Sequence, residues 1–283
     1  MPELPEVEVL TRHLAPLIRG RRIAVIEVRR ARTVLPDSPR AFERRLFGAH
    51  FVNVTRRGKY LLFELTTGRS REPMTLVGHL GMTGRMYLLP KKAALPKHAA
   101  VVLGLGAENF VFEDTRYFGR LTFDAVGIRE LGPEPLSEDF TVECFAEALR
   151  RSAQPIKVKL LDQSVVAGVG NIYASEALFR AKISPRLAAR RLDAAQVARL
   201  REAIRETLSE AIELGSTVPL NYSGEGARDG LFYFGSAPDA PDLYEERLRV
   251  YDRAGKACVT CGTAIKRIVQ AARSTFYCPK CQA

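Results

Sequence analysis

The stretch LLDQSVVAGVGNIYASEALF, residues 160–179, holds two helical patterns separated by a turn. IKVKLLDQ, ending at Gln163, is spaced as a short helix, and NIYASEALFRAK, starting at Asn171, as a second one. VVAGVGN between them is too rich in glycine to be helical. The pattern is that of a helix-turn-helix whose second helix presents its N-terminus outward. Backbone N–H groups and the helix dipole at such an end attract phosphate, although an asparagine at position 171 would also serve as a plain N-cap.

Helical patterns continue on both sides. TVECFAEALRRS lies upstream, with Cys144 expected on its core face, and a long run from Asp193 to Leu214 lies downstream. Asp193 and Gln196 are spaced as a capping box, and Gly215 is placed to stop the helix. Ser216 to Asp242 is irregular and rich in glycine and proline, a long loop of the kind that carries function. Before the helices, LGPEPLSEDF reads as a hinge, and the N-terminal part is built from short β-type runs such as IAVIEV, YLLFEL, TLVGHL, AAVVLGL and NFVFED. Their rhythm predicts an antiparallel sandwich or barrel through about residue 128. Ahead of them, Val7, Leu10, Leu14 and Leu17 recur at helical spacing, with Pro5 suited to the first helical position.

The tail CVTCGTAIKRIVQAARSTFYCPKC has two C-x2-C knuckles separated by sixteen residues. This spacing suits four thiolates, from Cys258, Cys261, Cys278 and Cys281, around one structural zinc ion, with TAIKRIV and STFY as strands of a small ribbon. Free thiols or two disulfides are the bland alternative. Five basic residues and no acidic one lie between Ala254 and Ala283, so the ribbon could offer a cationic tip to phosphate; it could equally bind protein or cap a domain.

Across all 283 residues, 43 Lys and Arg against 32 Asp and Glu give a net charge of +11, which favours a polyanionic partner. No apolar run approaches a membrane span and the N-terminus lacks a signal-peptide plan, so an intracellular protein is expected.

Taken together, MPELPEVE, RRGKYLLFEL, GHLGMTGR, DTRYFGR, LGPEPLSEDF, the 160–179 stretch and the cysteine ribbon resemble the formamidopyrimidine-DNA glycosylase family, whose sister branch is endonuclease VIII. The resemblance spans nearly the whole chain, in order. It implies an α+β protein with an N-terminal β-sandwich catalytic domain over residues 1–130, a linker over 131–140, a helix-two-turn-helix domain with a lesion-capping loop over 141–247, and a zinc ribbon over 248–283. It also implies a bifunctional glycosylase and abasic-site lyase of base excision repair, working as a monomer on damaged double-stranded DNA in the cytoplasm, at the nucleoid.

The resemblance assigns roles residue by residue. Pro2, once Met1 is removed, matches the family's nucleophile, and Glu3 its general acid and base. A secondary amine attacking the sugar C1′ forms an iminium that is cationic without a proton, an electron sink for elimination. Alone, Pro2 and Glu3 would pass for a common second residue and a helix-dipole partner. Glu6 matches a glutamate near the lesion nucleotide, and Lys59 a lysine that contacts phosphate and assists catalysis. Met82 matches the wedge that fills the vacated stack, Arg116 the reader of the orphaned base, and Phe118 the residue prying the opposite strand. By type alone, Met82 and Phe118 belong in a core. Asn171, Arg273 and Lys157 match contacts to the DNA backbone.

Several residues depart from the family pattern. Pro219 and Leu220 stand where a Lys or Arg followed by Asp is usual, Tyr117 replaces an arginine and Thr115 a proline. These changes bear on lesion choice. Leu4, together with Met82, Arg116 and Phe118, favours oxidised purines; the alternatives are oxidised pyrimidines, a noncatalytic damaged-DNA binder, or a zinc-ribbon interaction module.

Overall fold

The computed structural model describes residues 2–67, 73–216 and 248–283. The described residues form two compact units, residues 2–129 in one and residues 130–214 with 248–283 in the other. The loop predicted after Gly215 lies outside the described residues, apart from Ser216.

The first unit opens with helix α1 (Leu4–Ile18). Leu4, Val7, Leu10, Leu14 and Ile18 are all buried, one apolar stripe at helical spacing. Leu4 takes the first helical position and Glu3 the N-cap, so Pro5 falls one residue later than expected; its missing N–H costs nothing in the first turn. After β1 (Val25–Val28) comes α2 (Pro39–Leu46), a helix absent from the expected pattern. The remaining strands are β2 (His50–Arg57), β3 (Tyr60–Thr66), β4 (Pro73–His79), β5 (Gly84–Pro90), β6 (Ala99–Gly104), β7 (Glu108–Asp114) and β8 (Arg120–Thr122), followed by the single turn α3 (Val126–Arg129).

They pair into two antiparallel four-stranded sheets, ordered β2-β3-β4-β8 and β1-β6-β7-β5. This is the sandwich. Leu61, Phe63 and Leu65 alternate inward from β3 and meet Met86, Leu103, Phe110 and Phe112 of the other sheet in one core that also takes in Phe42 and Leu46 of α2. Phe63 and Phe110 meet edge to face at 5.7 Å. Strand β6 is buried along its whole length because Tyr87, Val102 and Val111 form a second cluster on its other face.

The second unit contains α4 (Val142–Arg150), the one-turn α5 (Ile156–Lys159), α6 (Asn171–Arg180) and α7 (Ala194–Ser216). The capping box at the start of α7 is present: Gln196 N–H donates to Asp193 Oδ1 at 2.7 Å, and Asp193 N–H to Gln196 Oε1 at 3.0 Å. The helix continues through Gly215 to Ser216, so Gly215 does not stop it. Cys144 is exposed, contrary to expectation, because Phe145 and Leu149 take the inner face of α4. Between α5 and α6, Gln163 staples the glycine turn, donating to Val169 O at 2.9 Å and accepting from Gly168 N–H at 2.9 Å. β9 (Lys266–Gln270) and β10 (Arg273–Tyr277) form the two-stranded ribbon.

Candidate functional site

In the first unit, the N-terminus of α1 brings three of the expected residues together. Pro2 is buried, and the carboxyl groups of Glu3 and Glu6 belong to residues only 1% and 2% exposed. Glu3 N–H donates to Glu6 Oε2 at 2.7 Å, half of a capping box. Glu6 therefore has a structural task at the helix start.

Glu8, one turn from this end, ties α1 to the hairpin carrying Lys59. It accepts from Arg56 Nε at 2.8 Å and from Arg12 Nε at 2.7 Å, while Arg56 also donates to Gly58 O at 3.0 Å. Burial would raise the Glu8 pKa, but these guanidinium contacts outweigh it and hold the carboxyl below its ordinary value. Lys59 is half-buried in the β2–β3 turn itself, after Gly58 at φ 57°.

A residue that sequence reasoning missed stands beside it. His79 faces Tyr60 across the β3–β4 ladder, ring centroids 4.8 Å apart. Its Nδ1 accepts from Gly81 N–H at 3.2 Å, which leaves the proton of the neutral ring on Nε2. Burial first, then the charges of Lys59 and Arg120, push its pKa down to about 4. Only the cross-strand register brings these groups together, so no local pattern marks it.

The depressed value has a consequence for stability. The unfolded chain binds the His79 proton near pH 6.5 and the folded chain only near 4. Stability is thus complete above pH 6.5 and declines as pH falls toward 4, by at most about 3 kcal/mol from this group. Urea unfolding of wild type and His79→Gln between pH 7 and 4.5 is expected to show the steeper acid-side loss in wild type; parallel curves would contradict the assignment.

Met82 and Phe118 are 38% and 44% exposed, not core residues. Arg116 is exposed as well, its guanidinium 5.1 Å from the Phe118 ring centroid. All three lie on loops at sheet ends: Met82 between β4 and β5, Arg116 and Phe118 between β7 and β8.

In the second unit, Gly170 caps α6 and Asn171 is its first helical residue, which sets aside the N-cap explanation for Asn171. Its side chain bridges instead. Asn171 Oδ1 accepts from Lys157 Nζ, and Nδ2 donates to Ser274 O of β10 at 3.0 Å. Lys157 is fully buried, while Arg273, next to Ser274, is exposed. The three expected backbone-contacting residues are thus held at one junction between α5, α6 and the ribbon.

Another missed residue secures that junction. Glu176 is 5% exposed and accepts from the N–H groups of Arg249, Val250 and Tyr251 at 2.8 to 2.9 Å. Burial raises its pKa against the lowering effect of these bonds. Phe179 of α6 adds an apolar seat, packing with Val250, Ile265, Phe276 and the cysteines.

The four cysteine sulfurs lie within 4.8 Å of one another. Cys258 and Cys281 Sγ are 3.9 Å apart, Cys261 and Cys278 Sγ 3.5 Å. A tetrahedron with Zn–S bonds of about 2.3 Å has S···S edges of about 3.8 Å, whereas a disulfide needs about 2.05 Å. N–H donors point at two of the sulfurs, from Thr260 to Cys258 and from Cys281 to Cys278, each at 3.4 Å. The set fits one structural zinc ion, with no position left for a reacting water.

Comparison with known proteins agrees with this arrangement. The formamidopyrimidine-DNA glycosylase N-terminal domain model matches residues 1–121, the H2TH domain of the same glycosylases residues 131–221, and the zinc finger found in FPG and IleRS residues 255–283. A formamidopyrimidine-DNA glycosylase of Symbiobacterium thermophilum is 42% identical over 100% of this chain and 89% of its own length. MutM in complex with DNA containing carbocyclic 8-oxo-G aligns at TM-score 0.85 and 35% identity over 99% of both chains. Lactococcus lactis Fpg in complex with abasic-site DNA gives the same TM-score, identity and coverage.

Proposed function

The chain belongs to the formamidopyrimidine-DNA glycosylase family of enzymes acting on damaged DNA, and we propose that it excises oxidised purines from duplex DNA and then cuts the strand as an abasic-site lyase. The observation that carries the reading is the buried Glu3 carboxyl on the residue that follows Pro2, at the cap of a helix sunk in the sandwich core.

With Met1 removed, the Pro2 nitrogen attacks the sugar C1′, the C1′–N bond to the base breaks, and the base leaves with a proton. The sugar ring opens with proton transfer through Glu3, giving a C1′ iminium. That cation lowers the barrier to removing a C2′ proton, whose electrons expel the 3′ phosphate; a second elimination expels the 5′ phosphate. Lys59 and His79 supply donors for a phosphate beside the lesion, and Asn171 and Arg273 contact the backbone from the other unit. Met82, Arg116 and Phe118 occupy the space left by the everted nucleotide and read its orphaned partner. Their exposure on loops at sheet ends supports this, since none of the three is taken up by the sandwich core. Zinc stays outside the chemistry and holds the ribbon together. The enzyme acts as a monomer in the cytoplasm, at the nucleoid.

Oxidised pyrimidines are the second reading, left open by the departures at Thr115 and Tyr117 between β7 and β8 and at Pro219 and Leu220, which lie outside the described residues. Matched duplexes carrying 8-oxoguanine opposite C or thymine glycol opposite A separate the two. Faster cleavage of the 8-oxoguanine strand is expected; preference for thymine glycol overturns the purine assignment.

A further inference from the structure

The loops that carry Met82 and Arg116–Phe118 share one buried support. Asp114, the last residue of β7, is 1% exposed. Its Oδ1 accepts from the Thr83 hydroxyl at 2.6 Å and from Arg116 N–H at 3.1 Å, and its Oδ2 from Gly119 N–H at 2.8 Å. Thr83 follows Met82 directly, and its Oγ1 lies 3.3 Å from Arg116 N. One carboxylate therefore grips both loops.

The loops are also packed back to back with no slack. A Cβ on Gly81, at φ 65°, would lie 2.6 Å from Gly119 N, and one on Gly119 would lie 2.9 Å from His79 O. A second hold acts on the far side. Tyr117 sits at φ 53°, its hydroxyl 3.1 Å from His98 Nδ1 and its ring 4.8 Å from the Arg30 guanidinium, while Asp114 N–H donates to His98 O at 3.1 Å. A β-type side chain has little intrinsic reason to adopt that φ, so the pocket imposes it.

We infer that Asp114 is a positioning residue that fixes the Met82 wedge relative to Arg116 and Phe118, so that the two loops enter duplex DNA as one rigid device. The inference rests on the DNA-contact reading of those three residues. A loose wedge penalises eversion from a duplex, where a stacked and paired nucleotide must be displaced, and leaves single-stranded DNA, which has no stack to fill, largely unaffected. Asp114→Asn places an amide donor against one of the N–H donors at unchanged volume. Thr83→Val cuts only the link between the loops, and Thr83→Ser restores it.

The test compares initial rates of borohydride trapping on the same abasic site in duplex and in single-stranded DNA, for the full-length processed protein. The duplex-to-single-strand ratio is expected to fall about 10-fold in Asp114→Asn and about 3-fold in Thr83→Val, and to recover in Thr83→Ser, with single-strand rates within about twofold of wild type. Unchanged ratios, or equal losses on both substrates, overturn the inference. Met82→Ala and Arg116→Ala run alongside. If they lower the ratio and the Asp114 and Thr83 variants do not, the brace alone fails; if they leave it unchanged, the DNA-contact reading fails and the brace with it.

Discussion

Cys278→Ser is expected to unfold the zinc ribbon while the residue 2–129 sandwich keeps its own core. Cys278 is fully buried, and its N–H donates to Gln282 Oε1 at 2.9 Å; Gln282 in turn donates to Ile183 O at 3.0 Å. A four-thiolate zinc site in a small domain contributes on the order of 10 kcal/mol, more than two short strands can supply by themselves. Losing one ligand thus removes β9 and β10, the Asn171–Ser274 bond and the placement of Arg273 together. DNA affinity is expected to drop about 10-fold or more, against a smaller loss for Arg273→Ala, whose ribbon stays folded. Zinc release measured with a chromogenic chelator, alongside DNA titration, checks both halves. A variant that loses zinc yet binds DNA as wild type does would separate the ribbon from the DNA interface.

The second large effect falls on the N-terminus. Pro2→Gly keeps an α-amine but makes it primary, so its imine must be protonated before it can draw electrons from C2′. An N-terminal tag acts more severely by converting the amine to an amide, which carries no nucleophilic lone pair. Strand cleavage at a preformed abasic site is expected to slow by about 100-fold or more in the tagged protein and substantially in Pro2→Gly. Binding should keep its steep salt dependence in both, because the proposed phosphate contacts lie on residues other than Pro2. Normal turnover by tagged protein would remove Pro2 from the mechanism.

Much of this architecture was legible in local pattern. The alternation in residues 60–66 marks β3, the cysteine spacing marks the ribbon, and Asp193 with Gln196 marks the start of α7. Helix α2 was harder to see. It buries only Phe42 and Leu46 among eight residues, too few to set a period, although Ser38, whose hydroxyl accepts from Ala41 N–H, and Pro39 are sound start signals. Cys144 shows the limit of residue-type reasoning: a thiol is usually buried, but neighbouring Phe145 claims the inner face.

The site divides in the same way. Pro2, Glu3 and the cysteines lie in short motifs, so a match of strings finds them. His79, Asp114 and Glu176 act through partners far along the chain: His79 through β3–β4 register, Asp114 through Thr83, and Glu176 through backbone N–H groups more than seventy residues away. Chemical type alone gives them no distinction. Only the fold shows which donors or acceptors each of these three meets.

Borohydride trapping followed by peptide mapping tests the central claim most directly. Full-length protein lacking Met1, incubated with an abasic-site duplex and reductant, is expected to form one covalent protein–DNA adduct, with the modification mapped to the Pro2 nitrogen. No adduct, or an adduct carried by a lysine such as Lys59, would contradict it.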